Sequence, residues 1–93
     1  MNPSKTKRFV KHKLQDAGPT VWIGKEGLTE NSIVEIEKQL KKNRMLKIKI
    51  LKSALQQENK KNIATKAAEQ TGALLVDLRG NVFILFRKQK QQI

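Results

Sequence analysis

Hydrophobic and lysine residues alternate between positions 45 and 51, and this period of two is typical of a β-strand with one buried face. The hydrophobic side chains fall on one side of such a strand and the lysines fall on the other. The alternating residues are Leu46, Lys47, Ile48, Lys49 and Ile50. The pattern therefore predicts a strand with one side in the core and a cationic side in solvent.

Three further segments have the character of strands. Residues 20–23 are short and apolar, and residues 74–78 and 82–86 are rich in valine, leucine and phenylalanine. Between the last two segments, residues 79–81 (Arg-Gly-Asn) predict a tight hairpin turn. Residues 82–86 show no alternation, so we expect this strand to lie inside the sheet and to be buried on both faces.

A helix is predicted after Thr29, because threonine is a good N-terminal cap and hydrophobic residues follow it at helical spacing. Its expected buried stripe is Ile33, Ile36 and Leu40. Asn43 is the expected end of this helix, since asparagine tolerates the backbone conformation that terminates helices.

Two more helices are predicted from spacing. Residues 63–71 place isoleucine and alanines on one helical face, and Gly72 closes the segment. Residues 5–16 form a basic amphipathic pattern, which ends before Pro19 because proline disfavours helix at the preceding residue. Residues 53–59 are polar and are predicted to form a loop.

Length and charge narrow the range of functions. The chain of 93 residues suits one domain with one modest core. It carries 20 Lys and Arg against 8 Asp and Glu, which gives a net charge of +12 and a pI near 10.3. Such a charge attracts polyanions and opposes self-association. We therefore expect a monomer, with RNA, DNA and anionic membranes all open as partners.

Several kinds of chemistry find no support in the residues. The chain has no cysteine, which excludes disulfides and thiolate zinc sites, and its one histidine, His12, makes a histidine metal site improbable. Clustered catalytic side chains and nucleotide-binding fingerprints are also missing, so we expect neither an enzyme nor a cofactor. No apolar run is long enough for a secretory signal or a membrane span, which leads us to expect a cytoplasmic protein.

A Gly-x-x-Gly loop lies between the first strand and the next helix, in the run Ile-Gly-Lys-Glu-Gly-Leu-Thr of residues 23–29. Gly24 and Gly27 would let backbone amides approach a phosphate without a Cβ in the way, and Lys25 would supply a cation. Glu26 would face solvent or a base edge. An ordinary strand-to-helix turn can have the same sequence, but the capped helix and the basic chain favour contact with a nucleic-acid backbone.

Two basic regions accompany this loop. The first predicted helix carries five cations before Asp16, namely Lys5, Lys7, Arg8, Lys11 and Lys13. Its apolar stripe is thin, which favours nucleic acid over a membrane surface. Residues 38–52 hold seven basic residues and no acid, and these form either one binding patch or a set of scattered solvated positions.

Trp22 also has two interpretations. Its ring could stack on a base, as aromatic residues of single-strand-binding proteins do. Because it lies between Val21 and Ile23 on a short strand that must be covered, we expect it to pack in the core instead.

In its order of helix, strand, Gly-x-x-Gly, helix, strand, helix, strand and strand, the chain resembles the CRM domain. This is the chloroplast RNA splicing and ribosome maturation module, here in its small stand-alone, YhbY-like prokaryotic form. The resemblance covers nearly the whole chain and rests on residues 23–29, 33–40, 46–50, 71–73 and 84–87.

The resemblance implies an α/β fold like that of the C-terminal domain of bacterial initiation factor three. This fold has a four-stranded mixed sheet in the order 1-2-4-3, with two helices chiefly on one face and the basic N-terminal helix added. We expect residues 1–93 to form one CRM-like domain, with residues 88–93 as a mobile tail.

The resemblance further implies a non-catalytic RNA-binding protein. Its expected partner is ribosomal RNA or a pre-ribosomal particle, during assembly of the large ribosomal subunit. The implied RNA-binding residues are Gly24, Lys25, Glu26, Gly27, Lys5, Arg8 and Lys11. Two other functions remain open, namely general DNA or nucleoid binding and the docking of an acidic protein partner.

Overall fold

Four strands and two α-helices make up the part of the chain that the computed structural model describes, which is residues 18–56 and 58–87. The elements are β1 (Val21–Ile23), α1 (Glu30–Asn43), β2 (Met45–Ile50), a 3₁₀ turn (Lys52–Gln56), α2 (Lys60–Thr71), β3 (Leu74–Arg79) and β4 (Val82–Phe86). The predicted N-terminal helix over residues 5–16 and the predicted tail over residues 88–93 lie outside the described residues.

The strands form one mixed sheet in the order β1-β2-β4-β3. β1 is parallel to β2, whereas β4 is antiparallel to both β2 and β3. The strand order and the mixed character that the sequence and its resemblance predicted are therefore confirmed. The all-apolar strand β4 lies between two neighbours, which explains why it has no polar side.

Each helix begins and ends with a local capping device. The Thr29 hydroxyl accepts the backbone N–H of Ser32 at 3.1 Å at the start of α1, and the Asn59 side chain accepts that of Asn62 at 2.8 Å at the start of α2. Gly72 ends α2 in the left-handed conformation, with φ 64°. α1 ends at Asn43, as predicted, but the left-handed conformation that terminates it is adopted by Arg44, with φ 64°, and not by Asn43.

Both helices pack on the same face of the sheet, which we call the helix face. Its core contains Ile36 and Leu40 of α1, the small side chains of α2, and alternate residues of all the strands but β3, whose Leu75 and Leu78 pack against it partly buried. The lysine side of β2 points to the other face, which we call the far face. The predicted alternation in β2 is therefore confirmed, with Ile48 buried and Lys49 exposed.

Three sequence-based expectations need correction. The predicted loop over residues 53–59 begins with a 3₁₀ turn, because the Ala54 N–H bonds to the Leu51 carbonyl at 2.9 Å and the Ala54 side chain is fully buried. Arg79 belongs to β3, so the hairpin turn is only Gly80-Asn81. Ile33 is half-buried, since it lies in the first turn of α1 at the margin of the core.

Candidate nucleic-acid interface

The Gly-x-x-Gly motif forms a tight turn between β1 and α1. The N–H of Gly27 donates to the carbonyl of Gly24 at 2.8 Å, which closes the turn. Lys25 and Glu26 occupy its two corner positions, and both side chains are exposed. The turn therefore presents one cation and one anion to solvent at its tip.

The two glycines of the turn have different roles. Gly27 has φ 73°, a conformation that strongly favours glycine, so the turn itself requires it. The φ of Gly24 is not positive, and an added Cβ would lie 3.8 Å from Leu51 Cδ1, which is an ordinary contact. The fold therefore accepts a side chain at Gly24, and the bare backbone there leaves room for a ligand.

The turn and the start of α1 together carry one cation and two anions. Lys25 lies next to Glu26, and Glu30 follows in the first turn of α1. The start of a helix favours a negative ligand through its unpaired N–H groups, but Glu30 partly satisfies that preference. Strong attraction of a phosphate backbone must therefore come from cations of neighbouring elements.

Those cations lie beside the turn, at the edge of the sheet that is formed by the carboxyl ends of β1, β2 and β3. Ile23 pairs with Ile50, and the Leu51 N–H donates to the Ile23 carbonyl at 2.9 Å, so Lys52 follows directly beside the turn. The β3–β4 hairpin is at this edge too, since the Ile50 N–H donates to the backbone carbonyl of Asn81 at 2.7 Å. α2 runs from this edge towards the start of β3, which places its exposed first residues, Lys60 and Lys61, at the same end.

The basic run over residues 38–52 does not form one patch. Its first part lies around the end of α1, which is at the opposite edge from the turn because α1 has 14 residues and is about 21 Å long. Lys47 and Lys49 lie on the far face, and only Lys52 lies beside the turn. Of the two interpretations of this run, the described residues favour scattered positions.

Trp22 is 54% exposed, so the expected core packing is wrong. Val21 and Ile23 point to the helix face and are buried there, and the alternation of a strand then directs Trp22 to the far face. In register, Trp22 lies opposite Lys49. The sequence held a signal for this position, since Trp22 has the opposite phase to its two buried neighbours.

A second small cluster of hydrophobic residues lies on the far face, away from Trp22. Val76 and Ile84, each 7% exposed, form its centre, and Met45 and Phe86 pack against them half-buried. The register between β3 and β4 shifts between Leu75 and Asp77, and this irregularity turns Val76 towards the cluster.

The described residues contain neither a candidate metal site nor a candidate membrane-spanning helix. Within residues 18–56 and 58–87, no three His, Cys, Asp or Glu side chains lie close enough together to hold a metal ion. No helix in that part of the chain is both long enough and apolar enough to cross a bilayer. The sequence-predicted cations Lys5, Arg8 and Lys11 lie outside the described residues.

These elements define a small α/β domain with an exposed glycine turn at one edge of its sheet. The model of the CRS1/YhbY (CRM) domain family matches residues 3–87. The chain therefore belongs to this family, and the resemblance read from the sequence is confirmed.

Relatives with curated descriptions are found in archaea and bacteria. A protein of Methanocaldococcus jannaschii, named a probable RNA-binding protein, is 41% identical over 86 residues, which are 92% of this chain and 63% of that protein. The chain thus spans less than two thirds of that relative. The probable RNA-binding protein YqeI of Bacillus subtilis is 28% identical over 98% of this chain and 93% of its own. An RNA-binding protein of Haemophilus influenzae is 30% identical over 95% and 87% of the two chains.

The fold also matches a structure determined in solution. A Staphylococcus aureus protein, described as a candidate RNA-binding protein, is 28% identical to this chain and superposes with a TM-score of 0.79. The match covers 100% of this chain and 95% of the other. The α/β architecture described above is therefore shared with an experimentally determined structure.

Proposed function

We propose that this protein binds ribosomal RNA or its precursor during assembly of the large ribosomal subunit, as a non-catalytic cytoplasmic monomer. The turn from Gly24 to Gly27 contacts the phosphate backbone of the RNA. The observation that carries the proposal is the position of Gly24, where the fold does not need a glycine but a closely approaching backbone does.

The charges of neighbouring elements support this assignment. Because Glu26 and Glu30 offset Lys25, the turn positions one phosphate without attracting RNA strongly by itself. Lys52, Lys60 and Lys61 at the same edge supply the attraction. In our proposal the basic surface extends to the N-terminal segment; its contributing residues there are Lys5, Arg8 and Lys11.

Family membership supports RNA as the polyanionic partner of this basic protein. Three curated relatives carry RNA binding in their names, and the solved structure belongs to a candidate RNA-binding protein. The resemblance to the stand-alone prokaryotic CRM module and to the C-terminal domain of initiation factor three supports the ribosomal part of the proposal. Affinity arises mainly from phosphate contacts, while RNA shape and splayed bases provide selectivity.

A double substitution in the turn tests its role. We expect Lys25→Asp with Glu26→Asp to weaken binding to a large-subunit ribosomal RNA fragment by roughly tenfold or more, because two acids then face the phosphates. Both positions are exposed, so the circular dichroism spectrum and the melting temperature should stay close to those of the wild type. Fluorescence anisotropy with labelled RNA measures the affinity.

The matched control is Lys42→Asp with Glu69→Asp, which makes the same change in net charge on exposed positions of the two helices, away from the turn. This control should lose less affinity than the double substitution in the turn. Equal losses would mean that only total charge matters, and an unchanged affinity of the turn variant would make the loop assignment wrong. Duplex DNA at matched salt is the competitor; if it displaces RNA, general DNA binding replaces our proposal.

Crosslinking in cells tests the ribosomal role. The tagged protein is crosslinked, and the attached RNA is sequenced for the wild type and for the turn variant. We expect enrichment of large-subunit ribosomal RNA or its precursor that is lost in the variant. Enrichment of introns or messenger RNA would contradict the ribosomal role while leaving RNA binding in place.

A further inference from the structure

Trp22 is the one residue of β1 whose side chain is mainly exposed to solvent. Val21 and Ile23 are buried on the helix face and hold the strand, whereas Trp22 leaves 54% of its surface in solvent. A large aromatic side chain normally contributes by burying about 150–250 Å². The exposed part of the ring contributes nothing to the core and is open to contact with a ligand.

The register of the sheet places Trp22 at one end of a line of four residues on the far face. Trp22 lies opposite Lys49, Lys49 lies opposite Val82, and Val82 lies opposite Arg79. We call Trp22, Lys49, Val82 and Arg79 the cross-sheet row. Because neighbouring strands lie about 4.8 Å apart, the row is about 14 Å long.

The chemistry of the row is one aromatic ring followed by two cations. Lys49 is exposed, and the Arg79 side chain is 80% exposed, with its Nε 3.5 Å from Asp77 Oδ2. Val82 between them is half-buried and does not block the surface. A ligand that suits the row therefore carries a flat apolar ring at one end and negative charge along its length.

The row also begins next to the proposed phosphate-binding turn. Trp22 precedes Gly24 by two residues, which is about 6.6 Å along a strand. β1 is the outermost strand on its side of the described sheet, and the ring of Trp22 is exposed there. A chain whose phosphate rests on the turn thus has a neighbouring unit within reach of the indole.

We propose that the cross-sheet row binds single-stranded RNA, with an unpaired base stacked on Trp22 and the backbone running along Lys49 towards Arg79. This inference rests on the proposed function and deepens it by naming the form of RNA that the site takes. Bases inside a duplex are stacked on one another and cannot lie on the ring, whereas splayed bases can. Within residues 18–56 and 58–87, a protein partner would find two cations in the row, and the hydrophobic cluster of Val76 and Ile84 lies elsewhere on the far face.

The chain contains one tryptophan, so its fluorescence reports on this position alone. The probe is a 12-nucleotide single-stranded RNA of mixed sequence, and the comparison is the same strand annealed to its complement. We expect the single strand to quench the emission of Trp22 on binding and to bind more tightly than the duplex. Unchanged emission with bound single strand, or equal binding of the duplex, would overturn the proposal.

Three variants separate stacking from charge. Trp22→Leu should lose about tenfold in affinity for the single strand with an unchanged salt dependence, and Trp22→Phe should lose less, because a smaller ring still stacks. Lys49→Gln should make the slope of log K against log salt less negative by about 0.7, since one phosphate contact is lost. The matched control Lys38→Gln, on an exposed position of α1, should leave the slope unchanged.

The turn variant distinguishes this inference from the function on which it rests. If Trp22→Leu binds single-stranded RNA as the wild type does while Lys25→Asp with Glu26→Asp loses binding, the stacking proposal is wrong and the proposed function stands. If the single strand binds and the turn variant keeps full affinity, the role of the turn is wrong instead. Thermal unfolding of Trp22→Leu confirms that the variant is folded, and its exposed position predicts that it is.

Discussion

At the scale of single residues, backbone conformation separates the demands of the fold from those of binding. Gly27 and Arg44 both adopt positive φ, and only Gly27 does so without a steric cost from a Cβ. Arg44 holds this conformation where α1 ends and β2 begins, and its carbonyl accepts the N–H of Arg87 at 2.7 Å. Gly24, with ordinary φ and room for a Cβ, is a glycine that the fold leaves unexplained.

Alanine substitution at the two glycines of the turn should therefore have opposite effects. Gly27→Ala should lower the free energy of unfolding by about 1–2 kcal/mol, because alanine is strained at positive φ. Gly24→Ala should leave stability unchanged or slightly higher, yet weaken RNA binding roughly fivefold through the lost close approach. Urea unfolding and RNA titration on each variant measure the two effects, and a loss of stability without loss of binding at Gly24 would contradict this division.

At the scale of elements, Arg87 ties together three segments that are distant in sequence. Its Nη1 donates to Glu37 Oε1 of α1 at 2.7 Å and to the Thr71 carbonyl at the end of α2 at 2.8 Å. Both charged side chains are about one quarter to one third exposed, so water weakens the pair without removing it. The cation also lies at the carboxyl end of α2, which the helix dipole favours.

Loss of the hydrogen bonds from Arg87 to Glu37 and to the Thr71 carbonyl should destabilise the packing of both helices on the end of β4. We expect Arg87→Met to lower the free energy of unfolding by about 2 kcal/mol, since two charge-assisted hydrogen bonds are lost and the Thr71 carbonyl is left without this donor. Glu37→Gln keeps an acceptor and should cost less. Chemical denaturation of both single variants and the double variant gives the coupling energy, and additive effects would mean that Arg87 and Glu37 do not interact in solution.

At the scale of the whole molecule, a net charge of +12 governs the response of binding to salt. If about five phosphates of a single strand are neutralised, log K should fall against log salt with a slope near −3.5. Each cation that contacts a phosphate contributes about 0.7 to the magnitude of the slope, so removal of one such cation makes the response less steep by that amount. Titrations at four salt concentrations measure it, and a flat response would remove the electrostatic account.

Local patterns accounted for much of this fold before any tertiary contact was known. The alternation in residues 46–50 predicted which side of β2 is buried, and Thr29 and Gly72 predicted where α1 begins and α2 ends. The apolar run of β4 predicted its interior place in the sheet. Such signals depend on side chains within a few residues of one another, and for that reason they can be recognised in the sequence alone.

The candidate site was predictable only in part. The Gly-x-x-Gly motif identified the turn, since its glycines and its cation are contiguous. Lys52, Lys60 and Lys61 could not be grouped with it from the sequence, because only the parallel pairing of β1 with β2 and the direction of α2 bring them to one edge. For Trp22, the alternation along β1 indicated that its side chain faces away from Val21 and Ile23, but whether that second face is covered depends on where the helices pack.

The sequence by itself determined the order of the elements, their caps, the two sides of β2 and the glycine turn, because period, capping and turn chemistry act over short separations. Only the tertiary structure decided that the basic run is divided among the end of α1, the far face and the turn, that Arg87 joins Glu37 to the end of α2, and that Trp22, Lys49 and Arg79 share a row. These features depend on register and packing between residues that lie up to 57 positions apart in the chain, and no local pattern encodes such pairings.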